Sequence, residues 1–472
     1  MQPLKDNSIV KVRNLSHEQY RDLRWIADCP LKDLVDKELN NVWLFPKPDE
    51  RHEDRIDDDQ LISIRKSADD FELTTFNIMG YVGYGDTEIT IESRFSNNSN
   101  DWFMQYMLQK IFSINIFNLK HSSSKVGTLD IAPLLFPYFL QKAMRQGIYK
   151  EYRTNYYNNT CIKGSINFSK HIKVNYPFRN GKVTYSSREY IYDNSITQLI
   201  RHTIELIKRN ESFSDILNSS NEIKSLVKLI IEATPTYCKS DISKVLKENL
   251  KPKIHPYFSE YLPLQKLCIL ILKREHIGYG NDQDKIHGVL FDGAWLWEEY
   301  LNLTLQKAGF VHPENKTGKG KIHPFKDKRR YARYPDFIHN DIIADAKYKY
   351  MLRPSDGNGR ITEHIQRDDL HQMISYLHIT GARIGIFITP TTINVMNPLT
   401  GTFYDNTSFI IRQDKLFAYR VGELEGDGGD IYILGINIPE SVDSYADFIT
   451  AMENTEKCLL DSIKKFLSTH SA

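Results

Sequence analysis

The chain has 472 residues, a length that predicts two or three domains and excludes a single small core. Hydrophobic residues make up 41% and charged residues 26%, and this composition excludes a mainly disordered chain. Because 61 Lys and Arg are balanced by 60 Asp and Glu, the net charge neither requires nor excludes a nucleic-acid partner, so any basic surface has to be local.

The cysteines and the apolar segments indicate the cellular compartment of the protein. The five cysteines are far apart in sequence and form no CxxC pair, which argues against both a zinc site and a disulfide framework. No apolar run approaches the length that spans a bilayer, and residues 1–13 lack the apolar centre of a leader. We therefore predict a cytoplasmic protein without membrane contact. No GxxxxGK(S/T) loop is present, so we expect no nucleotide to be bound by this chain itself.

The N-terminal part of the chain has the patterns of both strands and helices. Alternating apolar and polar residues predict two strands within residues 71–95, joined by a turn at 83–86. The acidic stretch 46–59 before them is typical of a solvated loop. Turn-forming residues at 278–284 mark the expected domain boundary. Between these points, helical periodicity predicts helices over residues 101–116, 130–149, 194–208, 222–233 and 262–273.

Residues 149–188 mix basic and aromatic side chains, with acids only near the two edges. This mixture suits nucleic-acid phosphates and exposed bases, or a partner protein. It is equally common in a half-buried β-sheet whose outer face is cationic. Composition alone does not decide between these interpretations, and both stay open.

Past the expected boundary, the order of elements becomes that of an α/β domain. A helix is predicted over residues 293–307, followed by a basic loop, two short strands, a second helix and another strand. The two short strands, at 334–339 and 342–349, are separated by Asn340-Asp341, which predicts a β-hairpin. Asp336 and Asp345 then come from adjacent antiparallel strands. Since residues two apart in a strand share a face, we expect Asp345 and Lys347 side by side.

This pattern predicts a metal-dependent site. Two neighbouring carboxylates repel unless a cation lies between them, and hard oxygen ligands suit Mg²⁺, with Mn²⁺ as an alternative. A bound Mg²⁺ can polarise a phosphodiester and acidify a water, while Lys347 orients that water or offsets developing charge. The competing interpretation is a surface ion pair, since acid-x-Lys triplets also occur at 222–224 and 314–316. Neither of those lies on a strand beside a second acid, so the metal site is favoured at Asp345.

Three further features extend this site. On the first helix, Glu298 or Glu299 could add a metal ligand, although an exposed helix acid is the commoner role. On the second helix, Gln372 and Tyr376 are four residues apart and share a face, from which they could hold the site backbone or a DNA phosphate. The loop before Asp336 is either a flexible solvated segment or a contact for DNA phosphates, and its position favours the contact. Its basic residues are Lys316, Lys319, Lys321, Lys326, Lys328, Arg329, Arg330 and Arg333.

The motifs resemble those of a known nuclease superfamily. Pro335-Asp336 followed by Asp345-Ala346-Lys347 resembles the PD-(D/E)xK nucleases, and Gln372 to Tyr376 resembles the QxxxY motif of their RecB-like branch. More narrowly, four strings resemble the McrC family, the nuclease subunit of McrBC-type modification-dependent restriction systems. The strings are Leu296-Trp-Glu-Glu-Tyr, Tyr334-Pro-Asp, Asp345-Ala-Lys-Tyr-Lys and Asp369-Leu-His-Gln-Met-Ile-Ser-Tyr, with less distinctive likeness at Gly80-Tyr-Val-Gly-Tyr-Gly, Lys163-Gly-Ser-Ile and Tyr192-Asp-Asn.

The resemblance implies a fold of the mixed α/β class. It implies a PD-(D/E)xK endonuclease core at 284–430, with a central mixed β-sheet flanked by helices. An α+β region at 1–283 would precede this core, dock on a partner and be able to contact DNA. Residues 431–472 would add a strand and an amphipathic helix. The implied site roles are metal binding for Asp336, Asp345 and Glu298, catalysis for Lys347, and completion of the site by Gln372 and Tyr376.

The resemblance also implies partners. The substrate would be double-stranded DNA, methylated or unmethylated. The second partner would be an AAA+ GTPase of the McrB type, which recognises DNA, translocates and is stimulated by the McrC-like subunit. Two alternatives remain: a stand-alone nuclease of DNA repair, and a catalytically silent adaptor that activates the motor. Intact Asp336, Asp345 and Lys347 disfavour the adaptor, because a scaffold does not need them.

Overall fold

The chain folds into two compact units. One unit combines Met1–Ser113 with Asn281–Ala472, and the other is Ile114–Gly280. No helix in the described part of the chain is both long and apolar enough to cross a membrane. The division into roles at 1–283, 284–430 and 431–472 stays a prediction. The computed structural model describes residues 2–13, 15–36, 41–45, 60–67, 70–84, 87–96, 101–112, 131–210, 214–251, 253–275, 287–313, 320–328, 330–354, 361–392, 416–426, 429–440 and 442–470.

The first unit begins with seven strands and three helices. They are β1 (Leu4–Lys5), β2 (Ile9–Val12), α1 (His17–Ile26), α2 (Leu31–Asp36), β3 (Asn41–Phe45), β4 (Ile62–Ser67), β5 (Asp70–Thr75), β6 (Ile78–Tyr84), β7 (Thr87–Glu92) and α3 (Trp102–Ile111). Residues 71–95 therefore hold three strands where the sequence predicted two. The prediction missed the break after Thr75, which sends β5 into a different sheet, ordered β2-β5-β4. The acidic stretch 46–59 and the turn residues 85–86 lie outside the described residues.

The second unit carries a small sheet and a set of helices. It contains α4 (Ile131–Met144), β8 (Glu151–Asn159), β9 (Ser165–Ile166), α5 (Phe168–Asn175), β10 (Val183–Ile191), α6 (Ser195–Arg209), α7 (Asn221–Ala233), α8 (Ile242–Asn249) and α9 (Tyr261–Glu275). The helices predicted at 194–208, 222–233 and 262–273 are confirmed as α6, α7 and α9. The prediction missed α8, whose eight residues give too short a periodic pattern.

The basic and aromatic segment of the second unit forms the sheet β8-β10-β9 and the helix α5. No residue of β8 is buried, whereas β10 of the same sheet buries Thr184, Tyr185 and Ser187, so only β10 follows the half-buried pattern that one interpretation expected. Three cations instead lie over tyrosine rings: Lys150 over Tyr190, Lys170 over Tyr156 and Arg188 over Tyr152. These contacts place the basic groups on an exposed aromatic surface. Nucleic acid and a partner protein are both candidate ligands of this surface.

The chain then returns to the first unit for its remaining elements. These are β11 (His287–Asp292), α10 (Gly293–Leu305), β12 (Phe337–His339), β13 (Ile342–Ala346), β14 (Leu352–Pro354), β15 (Ile361–Glu363), α11 (Arg367–Thr380), β16 (Ile384–Thr391), β17 (Leu416–Glu423), β18 (Asp430–Asn437) and α12 (Tyr445–His470). The predicted hairpin is confirmed, because β12 and β13 pair antiparallel around Asn340 and Asp341. Its strands are shorter than predicted, so Asp336 and Lys347 lie just outside them.

The strand β11 ties the start of the α/β region to the N-terminal sheet. That sheet has the order β1-β7-β6-β11-β3, with β11 antiparallel to β6 and parallel to β3. Gly80 of β6 has φ +125°, and a Cβ built there would lie 2.1 Å from the Val289 carbonyl oxygen. A side chain at this position would separate the two strands. Because α10 begins directly after β11, this pairing also fixes where α10 starts.

The C-terminal sheet has the order β12-β13-β16-β18-β17. Its three central strands, β13, β16 and β18, run parallel, and the edge strands β12 and β17 pair antiparallel with them. All eight residues of β16 are buried, as expected for a central strand covered on both faces. Helix α11 packs on this sheet through Met373 and Leu377, and Gly381 ends the helix with φ +73°. The mixed α/β class is therefore confirmed.

Candidate active site

Asp345 lies inside the C-terminal sheet. Its strand β13 is hydrogen-bonded to β12 on one side and to β16 on the other. The residue is only 1% exposed, and Ile343 and Ala344 beside it are buried in the core. Bulk water does not solvate a carboxylate at this position, so its charge needs partners within the protein or a bound cation.

Asp336 reaches the same place from the other arm of the hairpin. It immediately precedes β12, and its Oδ2 accepts a hydrogen bond of 2.8 Å from the backbone N–H of Ala346. That bond spans the hairpin and ties Asp336 to the end of β13, next to Asp345. The structure thus brings together the two aspartates that the sequence placed nine residues apart.

The two carboxylates interact unfavourably. Burial raises the pKa of Asp336 well above its ordinary value, and the nearby charges of Asp345 and Glu298 raise it further. Burial also raises the pKa of Asp345, although Lys347 opposes this rise. Two acids in this arrangement take up a proton or a cation. The site therefore favours a positively charged ligand.

Lys347 is the nearest resident cation. Its Nζ lies 2.6 Å from Asp345 Oδ2 and donates a 2.8 Å hydrogen bond to Gln372 Oε1. Burial disfavours the ammonium, but Asp345 and Asp336 outweigh it and raise the pKa of Lys347 above its ordinary value. The side chain therefore stays charged beside the two acids. Asp369 and Glu298 add to the two carboxylates, so Lys347 and the nearby Lys349 together do not neutralise the acids, and negative charge remains.

Helix α11 orients the site through a chain of hydrogen bonds. Gln372 Nε2 donates to the Tyr376 hydroxyl at 2.6 Å, and that hydroxyl donates to the Tyr334 carbonyl at 2.9 Å. Because the Gln372 amide nitrogen is engaged in this way, its oxygen is directed to Lys347. Gln372 and Tyr376 thus hold both the lysine and the backbone that leads into Asp336, a role that the sequence allowed for them.

Glu298 and Glu299 differ in their surroundings. Glu299 Oε1 accepts a 3.2 Å hydrogen bond from Trp295 one turn earlier on α10, which occupies it within its own helix. Glu298 instead influences Asp336, and its Oε1 lies 3.6 Å from His312 Nε2. His312 Nδ1 donates to the Asp336 carbonyl at 2.7 Å, because a carbonyl only accepts. The histidine thus connects α10 to the segment of Asp336.

Three residues of this region were missed by the sequence interpretation as site residues: His312, Lys349 and Asp369. Lys349 and Lys347 both contact the carboxylate of Asp369, which is 7% exposed. A signal existed for Asp369, since it lies three residues before Gln372 and therefore shares its helical face. The sequence contained no such signal for His312, because the position of this residue depends on the path of the chain after α10.

The donor set fits a magnesium ion in part. No three His, Cys, Asp and Glu side chains surround a common point anywhere in the described ranges. Glu298 therefore forms no three-ligand group with Asp336 and Asp345 here, and its role as a ligand stays a prediction. Mg²⁺ is commonly held by only one or two carboxylates, with waters and substrate phosphates completing its shell. The two aspartates meet that requirement.

The basic loop leads directly to Asp336. Its base is closed by paired backbone hydrogen bonds between Ile322 and Arg333, of 3.0 and 2.9 Å. Lys319 and Arg329, like Lys316, lie outside the described residues. The described basic side chains are all exposed, and so are Phe325 and Tyr331 in the same loop. The exposed basic residues are Lys321, Lys326, Lys328, Arg330 and Arg333.

Comparison with known proteins settles the family. The family model described as "McrBC 5-methylcytosine restriction system component" matches residues 73–388. The chain belongs to the McrBC family. The match includes the strands β6, β7 and β11 of the N-terminal sheet, the second unit and the site residues from Glu298 to Tyr376. No curated protein sequence matches this member of the McrBC family.

Two solved structures are similar to this McrBC-family chain. One is a refined half-complex from the tetradecameric assembly of Thermococcus gammatolerans McrB AAA+ hexamers with bound McrC. It has 13% identity and a TM-score of 0.47, covering 96% of this chain and 99% of that one. The other is the cryo-EM structure of the Thermococcus gammatolerans McrBC complex. It has 13% identity and a TM-score of 0.34, covering 66% of this chain and 89% of that one.

Proposed function

We propose that this chain is the Mg²⁺-dependent DNA endonuclease subunit of a McrBC-type restriction system. Its C-terminal sheet would form the PD-(D/E)xK core. One observation carries the proposal: Asp336 and Asp345 meet at the end of β13 with Lys347 Nζ 2.6 Å from Asp345. An acid pair that retains negative charge beside a charged lysine suits a metal ion and a phosphodiester. Membership of the McrBC family supports the same function.

The residues would divide the chemistry as follows. Asp336 and Asp345 would hold Mg²⁺, which supplies charge for the phosphodiester and an acidified water for its hydrolysis. Lys347 would orient that water and offset the charge that develops on the phosphate. Gln372 and Tyr376 would keep Lys347 directed at the reacting group. Mn²⁺ would serve as an alternative ion, because it accepts the same oxygen ligands.

The basic loop would supply the contact with the DNA backbone. Its exposed cations precede Asp336 in the chain, and neutralisation of phosphates by such groups releases counterions from DNA. Contacts of this kind position a duplex without reading its sequence. Recognition of methylated DNA would then belong to the partner, an AAA+ GTPase that this chain stimulates.

The decisive experiment is plasmid cleavage by the purified chain with Mg²⁺, with and without the candidate AAA+ partner and GTP. Methylated and unmethylated plasmids are compared in each case. Asp345→Asn removes one site charge, and Asp341→Asn changes an exposed aspartate of the same hairpin as a matched control. We expect cleavage only in the full mixture, lost in Asp345→Asn and retained in Asp341→Asn.

The other outcomes separate the alternatives. Cleavage without partner or nucleotide would support a stand-alone repair nuclease. Stimulation of the partner's GTPase without any cleavage would support the silent adaptor. Cleavage that survives Asp345→Asn would remove the proposed active site, whichever partner is required.

A further inference from the structure

Two lysines beside the candidate active site share one buried acid. Lys347 Nζ lies 3.7 Å from Asp369 Oδ1, and Lys349 Nζ contacts Asp369 Oδ2. Asp369 is 7% exposed, so its charge is strongly felt by both ammonium groups. Without this carboxylate, the two ammonium groups that contact it would repel each other. Asp369 therefore holds the two lysines side by side.

The backbone also brings the two lysines together. The N–H of Lys349 donates to the Lys347 carbonyl at 3.0 Å, which closes a three-residue turn. Strand β16 anchors both ends of this turn: the Lys347 N–H donates to the Ile388 carbonyl at 2.9 Å, and the Thr389 hydroxyl donates to the Lys349 carbonyl. The turn is therefore a fixed extension of the sheet.

The tyrosines that alternate with these lysines are held on the other side. Tyr348 is buried, and its hydroxyl forms a 2.6 Å hydrogen bond with Ser93 Oγ. The Tyr350 hydroxyl donates to the Arg94 carbonyl at 2.9 Å. Because the tyrosines are fixed against the N-terminal region of the same unit, the lysines cannot exchange sides with them. The segment Lys347-Tyr-Lys-Tyr350 thus presents two cations to the site.

Lys349 retains the means to bind a ligand. An ammonium group has three N–H donors. The partners of Lys349 within the described ranges are Asp369 Oδ2 and Gln366 Oε1, the latter at 2.9 Å. Its side chain is 28% exposed, against 16% for Lys347. One donor is thus available on the more accessible of the two lysines.

We infer that Lys349 binds a backbone phosphate of DNA next to the one that is cleaved, and that Asp369 is a positioning residue for Lys347 and Lys349. This inference rests on the proposed endonuclease function. The inference assigns different roles to the two lysines of this turn. Lys347 acts on the reacting phosphate, and Lys349 contributes to the affinity for the strand.

The test measures DNA binding and cleavage separately. Lys349→Ala, Lys349→Arg and the matched control Lys66→Ala, an exposed lysine on β4, are compared with wild type. Binding of the full chain to duplex DNA is followed by fluorescence anisotropy without metal at several salt concentrations. For Lys349→Ala we expect about tenfold weaker binding and a salt slope smaller by about 1. Lys349→Arg should retain most of the affinity, and Lys66→Ala should match wild type.

Cleavage by the chain in complex with its partner gives the second readout. Lys349→Ala should raise KM with little change in kcat. Asp369→Asn should lower kcat and raise KM together, because both lysines lose their shared partner. Thermal unfolding of each variant identifies any loss of folding. A role for Asp369 in stability alone would lower its melting temperature and leave both kinetic constants unchanged, which would overturn the positioning role.

The binding data keep the inference separate from the proposed function. If wild type binds DNA but never cleaves it, the endonuclease proposal fails, and Lys349 is still judged by its own affinity and salt slope. If Lys349→Ala binds with wild-type affinity and slope, the inference is overturned even when cleavage is normal. Absence of DNA binding by wild type at every salt concentration would overturn it as well.

Discussion

The first unit buries aspartates in two regions, and the side chains that surround the carboxylates differ between these regions. Near the N-terminus, Asp6 accepts hydrogen bonds from the backbone N–H and the guanidinium of Arg94. At the candidate active site, Asp345 is equally buried, but its charge raises the pKa of a second acid, Asp336. One region surrounds its acid with donors. The other places two acids together.

This difference separates a structural from a functional use of burial. A buried acid with its own cation and N–H donors has a compensated charge, and removing one partner of such a pair strongly destabilises the fold. At the candidate active site, the buried Asp345 and the neighbouring Asp336 retain negative charge in spite of Lys347, which is unfavourable unless a further cation arrives. Neutralising an acid should therefore affect stability in the first region and activity in the second.

The largest expected effect is on cleavage. Asp345→Asn should reduce the cleavage rate of the full complex by on the order of 10³-fold, because one of the two metal-binding oxygen donors loses its charge. Removing one of two like charges offsets the lost ion pair with Lys347, so we expect the free energy of unfolding to change by less than about 1 kcal/mol. Plasmid cleavage and chemical denaturation measure the two quantities. A large loss of stability would remove the contrast between the regions.

The next effect is on stability. Asp6→Asn should lower the free energy of unfolding by about 3 kcal/mol, because the guanidinium of Arg94 would be left in a largely buried position without its anion. Asp70→Asn is the matched control, since Asp70 pairs at 3.8 Å with the exposed Arg13. Urea denaturation of both variants tests the difference. Equal effects in the two variants would contradict the assigned role of the Asp6–Arg94 pair.

A third effect depends on pH. Burial raises the pKa of Asp101 to about 6, although its carboxylate accepts hydrogen bonds from Ser93 N–H and Met104 N–H. The folded protein therefore binds a proton more tightly than the unfolded chain does. Relative to Asp101→Asn, wild-type stability should be highest below about pH 4 and fall by about 3 kcal/mol as pH rises through about 6. Urea denaturation of both proteins between pH 4 and pH 7 measures this; a difference that stays constant would contradict the raised pKa.

The smallest expected effect concerns the support of Lys347. Tyr376→Phe removes the hydroxyl that joins Gln372 to the Tyr334 carbonyl, so it should lower cleavage about tenfold and stability by about 1 kcal/mol. Tyr419→Phe is the control, because its hydroxyl bonds the exposed Glu363 outside the site. Cleavage kinetics and melting temperatures of both variants test these expected effects. Equal kinetics for both would show that the hydrogen-bond chain does not orient Lys347.

The sequence predicted the parts of the site that follow from local geometry. The Asn340-Asp341 turn and the alternation around it predicted the hairpin, and the structure confirms it. Spacing of four residues placed Gln372 and Tyr376 on one face of α11, where they bond to each other. Both predictions depend on the side-chain periodicity of a strand or a helix, and this periodicity is visible in a short stretch of sequence.

The tertiary structure alone decided which distant segments meet. Sequence periodicity gave no reason for β11 to join the N-terminal sheet, because that pairing depends on the close approach that Gly80 permits. It likewise did not show that one acid, Asp369, contacts both Lys347 and Lys349, or that His312 links Glu298 to the Asp336 backbone. The periodicity of a helix or strand shows which face of that element a residue occupies. Only the packing of separate elements determines which side chains that face contacts.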